Sequence, residues 1–109
     1  MDSIIDLEAD FLSDIQLISG TSHTKLADKI SKILNKPLID CTIKNFSNTE
    51  IKVDINENIR NKDIFIVESG TYGYENNKSI NDYFMETLII IDACRRSNPK
   101  SINLLLPCY

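Results

Sequence analysis

The sequence lacks the long hydrophobic runs that membrane insertion requires. No apolar stretch approaches the roughly 18–20 residues that cross a bilayer as a helix. The opening segment, "MDSIIDLEAD", is acidic and lacks the basic stretch that begins a secretory signal. These two absences predict a cytoplasmic protein with no membrane partner.

Several patterns that carry catalysis or bind metals are also missing. His23 is the single histidine, so no second imidazole could share a metal ion, and no GxSxG motif supplies a nucleophile. Neither of the glycine patterns that cradle phosphates, GxxxxGK[ST] and GxGxxG, occurs. The three cysteines form no CxxC pair, which favours reduced, half-buried thiols in a cytosolic protein. We therefore predict no catalytic residue and no metal ligand in this chain.

Positive charge is scarce as well. The 109 residues include 12 lysines and arginines against 16 aspartates and glutamates, a net charge of -4. A protein that binds nucleic acid needs a basic face to neutralise phosphates, so this balance predicts no nucleic-acid partner. It leaves a nucleotide ligand open, because a nucleotide needs only a local cluster of donors. The length and the 42% hydrophobic content fit one soluble domain of ordinary size.

The apolar stretches alternate between strand and helix patterns. Strands are predicted at 14–20, 38–43, 50–55, 63–69 and 101–107. The fourth of these is continuously apolar, which is typical of a strand buried on both faces of a parallel sheet. With one helix after the first strand and another before the last, the order predicts an α/β fold. We expect a largely parallel sheet flanked by helices.

Both predicted helices have apolar residues at helical spacing. The first should begin at Ser22 or Thr24 and end at Asn35. Its single apolar stripe comprises Leu26, Ile30, Ile33 and Leu34. The second, longer helix has apolar residues on more than one face, which predicts that it is well buried. These residues include Tyr83, Phe84, Leu88 and Ile91.

The stretch "KNFSNTEIKVDI", residues 44–55, places an aromatic residue on a polar face. Side chains alternate along a strand, so Ile51 and Val53 occupy one side while Phe46, Asn48 and Glu50 occupy the other. A ring can stack on a base, and an amide with a carboxylate can read the edge of adenine. On spacing alone, a surface strand with one half-buried phenylalanine is the simpler interpretation.

Arg60 and His23 are weaker candidates for binding. Arg60 follows an amide-rich turn where a phosphate could bind, although a solvated arginine explains it more simply. His23 lies between the first strand and the first helix, where a loop or capping role is the simpler interpretation.

Four motifs occur in an order that resembles a known family. They are "LISGTSHTKLADKI", "KNFSNTEIKVDINENIRNKDIFIVESG", "INDYFMETLIIIDACRR" and "SINLLLPCY". Together they resemble the N-terminal domain of ribose-phosphate pyrophosphokinase, which has a phosphoribosyltransferase-like fold. The resemblance covers residues 16–109 and leaves 1–15 as an N-terminal extension.

The resemblance implies a function for the polar face of the third strand. In the family, the FSNxE segment binds the adenine of ATP in the site of a neighbouring subunit. Phe46 would then flank the base, and Asn48 and Glu50 would contact its edge. Arg60 matches an arginine of a regulatory phosphate site. The family transfers diphosphate from ATP to ribose 5-phosphate with Mg²⁺, forming phosphoribosyl pyrophosphate and AMP, and it works as a homo-oligomer.

The sequence departs from the family pattern at several places. Glu68 replaces a frequent glutamine, Asn58 replaces a frequent serine, and the loop 71–79 is longer than usual. The family's later ATP loop, metal-binding histidine and catalytic loop do not occur in these 109 residues. We therefore expect the chain alone to be inactive. A non-catalytic associated regulatory subunit and a stand-alone interaction module remain alternatives to part of an active enzyme.

Overall fold

The computed structural model describes residues 14–46, 50–68 and 80–106. Within these ranges the chain forms strands and helices in an alternating order. The elements are β1 (Ile15–Ser19), α1 (Thr24–Leu34), β2 (Cys41–Asn45), β3 (Ile51–Ile55), β4 (Asp63–Val67), α2 (Ile80–Arg95) and β5 (Ser101–Leu105). This order confirms the predicted α/β class.

The parallel sheet has the strand order β1-β4-β5. Ile15 pairs with Asp63, and Asp63 pairs with Ser101, so the first residues of the three parallel strands lie side by side. The central position of β4 explains its continuous apolar sequence, because both faces of this strand are covered. Ile64 and Ile66 are fully buried on one face, and Val67 is 1% exposed on the other. The predicted parallel sheet is thereby confirmed.

Strands β2 and β3 form a separate antiparallel hairpin. The sequence predicted a strand at 38–43, whereas the structure divides that stretch into two parts. Leu38 makes an isolated parallel bridge with Leu17 at the edge of the sheet, and the amide of Ile39 donates to the Leu17 carbonyl at 2.8 Å. The chain then leaves the sheet, and β2 begins only at Cys41. The predicted boundary was wrong because an apolar run does not reveal which neighbour each residue pairs with.

The main core lies between the parallel sheet, α2 and the hairpin. Its buried members are Ile18, Ile39, Val53, Ile59, Ile64, Ile66, Ile90, Ala93 and Cys94. Burying one isoleucine side chain contributes about 1.5–3 kcal/mol, so this cluster is the principal stabilising feature of the described fold. Val53 reaches the core because β3 alternates as the sequence predicted, with Lys52 and Asp54 exposed on its other side.

Helix α1 begins and ends at identifiable caps. The Nδ1 atom of His23 accepts from the amide of Leu26 at 3.2 Å, which makes His23 the N-cap. The capping role offered for His23 is confirmed, whereas the prediction of Ser22 or Thr24 was wrong, because the Ser22 hydroxyl donates to the buried carboxyl of Glu68. Asn35 ends the helix in the left-handed conformation, with φ of 53°. That end was predicted correctly, since asparagine tolerates positive φ better than most residues.

Parts of both apolar helix surfaces are exposed. Ile33, a member of the apolar stripe of α1, is 81% exposed. On α2, which was predicted to be well buried, Tyr83 is 2% exposed, but Phe84 is 61% and Leu88 is 44% exposed. Helix α1 packs on β1, and α2 packs mainly on β3 of the hairpin, so each helix keeps another side exposed. Neither of the described helices combines the length and hydrophobicity needed to cross a membrane.

Candidate functional site

The first candidate site is the tip of the β2–β3 hairpin. The last strand pair joins Asn45 to Ile51, and beyond it the amide of Phe46 donates to the carbonyl of Glu50 at 2.8 Å. Phe46 and Glu50 therefore lie opposite each other at the base of the loop that connects the strands. Asn48, the third predicted member, lies outside the described residues.

The two described members of this site are exposed. Phe46 is 47% exposed, and Glu50 also lies at the surface. Residues opposite each other in an antiparallel pair project to the same face, so the ring and the carboxylate share one side of the hairpin. Their predicted exposure is confirmed, and their role in binding adenine stays a prediction.

Two lysines extend the same face of the hairpin. Lys44 and Lys52 are a directly opposed pair, two positions further from the tip than Phe46 and Glu50, and both are exposed. The Nζ atom of Lys52 lies 3.9 Å from Oδ2 of Asp54. This exposed ion pair contributes little to stability by itself. The face therefore offers a ring for stacking, a carboxylate that accepts hydrogen bonds and two cations near them. These groups suit a ligand with a planar base and negative charge.

Arg60 lies on an exposed turn between β3 and β4. Its backbone amide donates to the Asn58 side-chain oxygen at 3.0 Å, and Asn61 follows with φ of 61°. The side chain of Arg60 is at the surface. Asn58 therefore has a structural role in shaping the turn, and the phosphate-binding role of Arg60 stays a prediction.

A second site lies at the carboxyl edge of the parallel sheet, where two glutamates are fully buried. Glu68 directly follows β4, Glu86 lies in α2, and both have 0% exposure. The amide and hydroxyl of Thr21 donate to Glu86 at 2.8 and 2.6 Å. The amide and hydroxyl of Ser22 donate to Glu68 at 3.2 and 2.6 Å. Thr87 adds a hydroxyl bond to Glu68 at 3.1 Å.

Burial, first, and then the neighbouring Glu86 carboxyl with its negative charge together raise the pKa of Glu68 to about 8, while the donors of Ser22 oppose the shift. Glu68 is therefore mainly protonated at neutral pH. The sequence drew attention to Glu68 only as a departure from the family and did not single out Glu86. The signal available was a glutamate within the apolar stretch of α2.

Gly20 is required by this arrangement. A Cβ atom at position 20 would lie 2.0 Å from Oε1 of Glu68 and 2.2 Å from its carboxyl carbon. The Gly20 amide donates to the Val67 carbonyl at 3.0 Å, which holds the backbone in place. The Glu68 carboxyl therefore lies against the backbone of Gly20, in space that the side chain of any larger residue at position 20 would occupy.

The described residues contain neither a metal cluster nor a reactive thiol. No group of three or more histidine, cysteine, aspartate or glutamate side chains in these ranges could hold a metal ion. Cys41 and Cys94 are free, and burial raises the pKa of each thiol to about 11. Both therefore remain neutral thiols at physiological pH, whereas Cys108 lies outside the described residues.

Comparisons with known proteins identify the family. The family model for the N-terminal domain of ribose phosphate pyrophosphokinase matches residues 15–109. The chain belongs to this family. The ribose-phosphate pyrophosphokinase of Agrobacterium fabrum is 43% identical over 95 residues, which are 87% of this chain and 29% of that protein. Ribose-phosphate pyrophosphokinase 4 of Saccharomyces cerevisiae is 37% identical over 98 residues, 90% of this chain and 29% of that protein.

A solved structure agrees with the sequence comparisons. The crystal structure of phosphoribosylpyrophosphate synthetase from Mycobacterium smegmatis superimposes with a TM-score of 0.76 at 34% identity. The match covers 86% of this chain and 30% of that one. The chain thus spans less than a third of the pyrophosphokinases that it resembles. Family and fold predicted from the ordered motifs are confirmed.

Within this pyrophosphokinase domain, the predicted site residues do not converge on one place. Phe46 and Glu50 lie at the hairpin tip, whereas Arg60 lies on the turn that follows β3. The carboxyl pair of Glu68 and Glu86 lies at the edge of the parallel sheet. The hairpin tip and the sheet edge are therefore two separate features, and each requires its own explanation.

Proposed function

We propose that this chain is the N-terminal part of a ribose-phosphate pyrophosphokinase and supplies the adenine-binding loop of a composite ATP site. The complete enzyme would transfer diphosphate from ATP to ribose 5-phosphate. The anomeric oxygen of the sugar attacks the β-phosphorus, the bond from that phosphorus to the oxygen shared with the α-phosphate breaks, and AMP leaves. The products are phosphoribosyl pyrophosphate and AMP, which serve nucleotide biosynthesis.

The observation that carries the proposal is the exposed Phe46 beside Glu50 on a projecting hairpin. An exposed phenylalanine at the base of a loop stabilises nothing in the described core, so its ring is available to a base. Base stacking on an aromatic side chain is worth about 1–3 kcal/mol. Glu50 would accept from the exocyclic amine of adenine, and Asn48 would contribute a donor and an acceptor. Arg60 would contact a regulatory phosphate.

The proposed reaction depends on the alignment of two substrates. Holding a hydroxyl in line with a phosphorus removes much of the entropic barrier. Mg²⁺ would neutralise charge on the phosphates, but the described residues hold no cluster that fits it. We propose that the ion binds together with ATP in the complete enzyme. A site completed by a neighbouring subunit also requires a homo-oligomer.

A domain exchange tests this proposal. Residues 15–109 would replace the matching segment of the Agrobacterium fabrum relative, which is 43% identical. AMP release from ATP would be measured with and without ribose 5-phosphate and Mg²⁺. We expect activity that depends on both, while the 109-residue chain alone should release no AMP. A chimera that folds and forms the parent's oligomer but shows no activity would refute the proposal, as would turnover by the isolated chain.

A further inference from the structure

The buried pair of Glu68 and Glu86 cannot be explained by the adenine site. Both side chains have 0% exposure, and the Glu86 carboxyl lies close enough to raise the pKa of Glu68. Two carboxylates are both acceptors, so two carboxyl groups can hydrogen-bond to each other only when one of them holds a proton. Two like charges in contact without water would also repel strongly. Burial and proximity therefore favour at least one proton in the pair.

The same two carboxyl groups hold the loop between β1 and α1, residues 20–23. Thr21 donates through its amide and hydroxyl to Glu86 only, and Ser22 donates through its amide and hydroxyl to Glu68. Adjacent residues of the loop are thus attached to different members of the pair. Separation of the two carboxyl groups would move Thr21 and Ser22 apart or break these bonds.

Little space is available for the pair to rearrange in place. Gly20 leaves no gap, because a Cβ atom there would overlap the Glu68 carboxyl. On the other side, the Thr87 hydroxyl donates to the Tyr83 carbonyl at 2.8 Å and lies 3.1 Å from Oε2 of Glu68. Among the described residues, hydration of a second negative charge would require movement of the loop or of α2.

We propose that Glu68 and Glu86 share one proton, and that this proton fastens residues 20–23 to the carboxyl edge of the parallel sheet. Loss of the proton would release the loop. In open α/β sheets ligands bind beyond the carboxyl ends of the strands. The shared proton would therefore control whether a loop at that edge is ordered. Burial raises the pKa of Glu68 to about 8, which places the release at weakly alkaline pH.

Other titratable groups near the pair act differently. Cys41 of β2 lies within the electrostatic range of Glu86, but burial raises its pKa to about 11, above the proposed transition. Tyr83 of α2 contacts Thr87 through its backbone carbonyl. In the loop itself, the Nδ1 atom of His23 caps α1 as an acceptor.

Nuclear magnetic resonance of the full chain tests the shared proton directly. Glutamate side-chain ¹³C carboxyl shifts and the ¹⁵N amide shifts of Thr21 and Ser22 would be followed from pH 5 to pH 9.5. We expect one carboxyl of the pair to titrate near pH 8, with both amides changing at the same midpoint. Titration of both Glu68 and Glu86 below about pH 5 would overturn the proposal.

Three variants locate the proton. Glu68→Gln and Glu86→Gln each replace the shared proton with an amide that can donate at every pH, so the alkaline change of Thr21 and Ser22 should disappear in both. Glu57→Gln makes the same substitution at an exposed position, so the alkaline change of Thr21 and Ser22 should remain in this control. If the alkaline change of the two amides persisted in Glu68→Gln or Glu86→Gln, it would arise from another titrating group, and the proposed shared proton would be refuted. The wild-type titration decides the matter if neither pair variant folds.

Discussion

The amide of Phe46 donates to the carbonyl of Glu50 at 2.8 Å, across the base of the hairpin tip. This bond continues the antiparallel ladder one position beyond the last strand pair, Asn45 with Ile51. It therefore fixes the spacing between an exposed ring and an exposed carboxylate. A ligand that binds both would find them already positioned, which reduces the ordering cost of binding.

The first prediction concerns the ring. Phe46→Ala in the active chimera should weaken ATP binding by about 1–3 kcal/mol, because a stacking surface is lost. Stability should change little, since Phe46 is exposed. The KM for ATP and direct nucleotide affinity would be measured together with thermal unfolding. Phe84→Ala removes a ring of α2 that is 61% exposed, against 47% for Phe46, and serves as the control, provided that the oligomer is unchanged. Equal ATP affinity in Phe46→Ala and the parent chimera would contradict the adenine assignment.

The second prediction concerns the carboxylate. Glu50→Gln should reduce ATP affinity less than Phe46→Ala does, but it should narrow the preference for ATP over GTP. A glutamine carbonyl is a weaker acceptor than a carboxylate for the exocyclic amine of adenine. The glutamine side chain also adds an N–H donor, which could hydrogen-bond to the carbonyl oxygen of guanine. The ratio of kcat/KM for ATP and GTP measures this preference. An unchanged ratio would mean that Glu50 does not read the base.

The third prediction is self-association of the chain. Phe84, Met85 and Leu88 are 61%, 50% and 44% exposed on one helix, and an apolar surface of this kind marks an interface. Sedimentation velocity should show dimers or larger species at micromolar concentrations. Phe84→Glu should shift the distribution towards monomer, whereas Lys36→Glu on another surface should not. A wild-type chain that remains monomeric at high concentration would contradict this prediction.

The fourth prediction is an unusual dependence of stability on pH. The pKa of Glu68 rises from 4.5 to about 8 on folding, so the native state holds a proton that the unfolded state releases between these values. The contribution to the free energy of unfolding is therefore complete below about pH 4.5 and is lost progressively as the pH rises to about 8. Acidic pH also protonates other carboxylates, so the informative quantity is the difference between variants.

Urea unfolding of the wild type and Glu68→Gln from pH 5 to pH 9 measures that difference. Glutamine remains neutral and can donate to Glu86, so the variant should gain stability relative to the wild type as the pH rises, and the gain should level off above about pH 8. Glu57→Gln should follow the wild type throughout. A constant difference between wild type and Glu68→Gln across this range would show that Glu68 has an ordinary pKa.

Local patterns in the sequence predicted much of the fold. The alternation of Ile51 and Val53 with charged residues placed the exposed face of β3 correctly, and Asn35 marked the end of α1. The continuous apolar stretch of β4 indicated a central strand. These features depend on neighbours within a few residues, and the period of a strand or helix is visible in the order of side chains. The same alternation predicted the exposed position of Phe46, and the family motifs added its proposed role.

Contacts between distant residues were decided only by the tertiary structure. The Ser22 hydroxyl does not cap α1 because it donates to the distant Glu68, and Ile33 is 81% exposed although it belongs to the apolar stripe of α1. Glu68 and Glu86 look like ordinary polar residues in the sequence. Their proposed shared proton depends on their burial and on the position of α2 next to the end of β4. Both of these causes arise only when segments distant in the sequence pack together. Periodicity sets which side of an element is apolar, but the free energy of an ionisable group depends on what surrounds it in space.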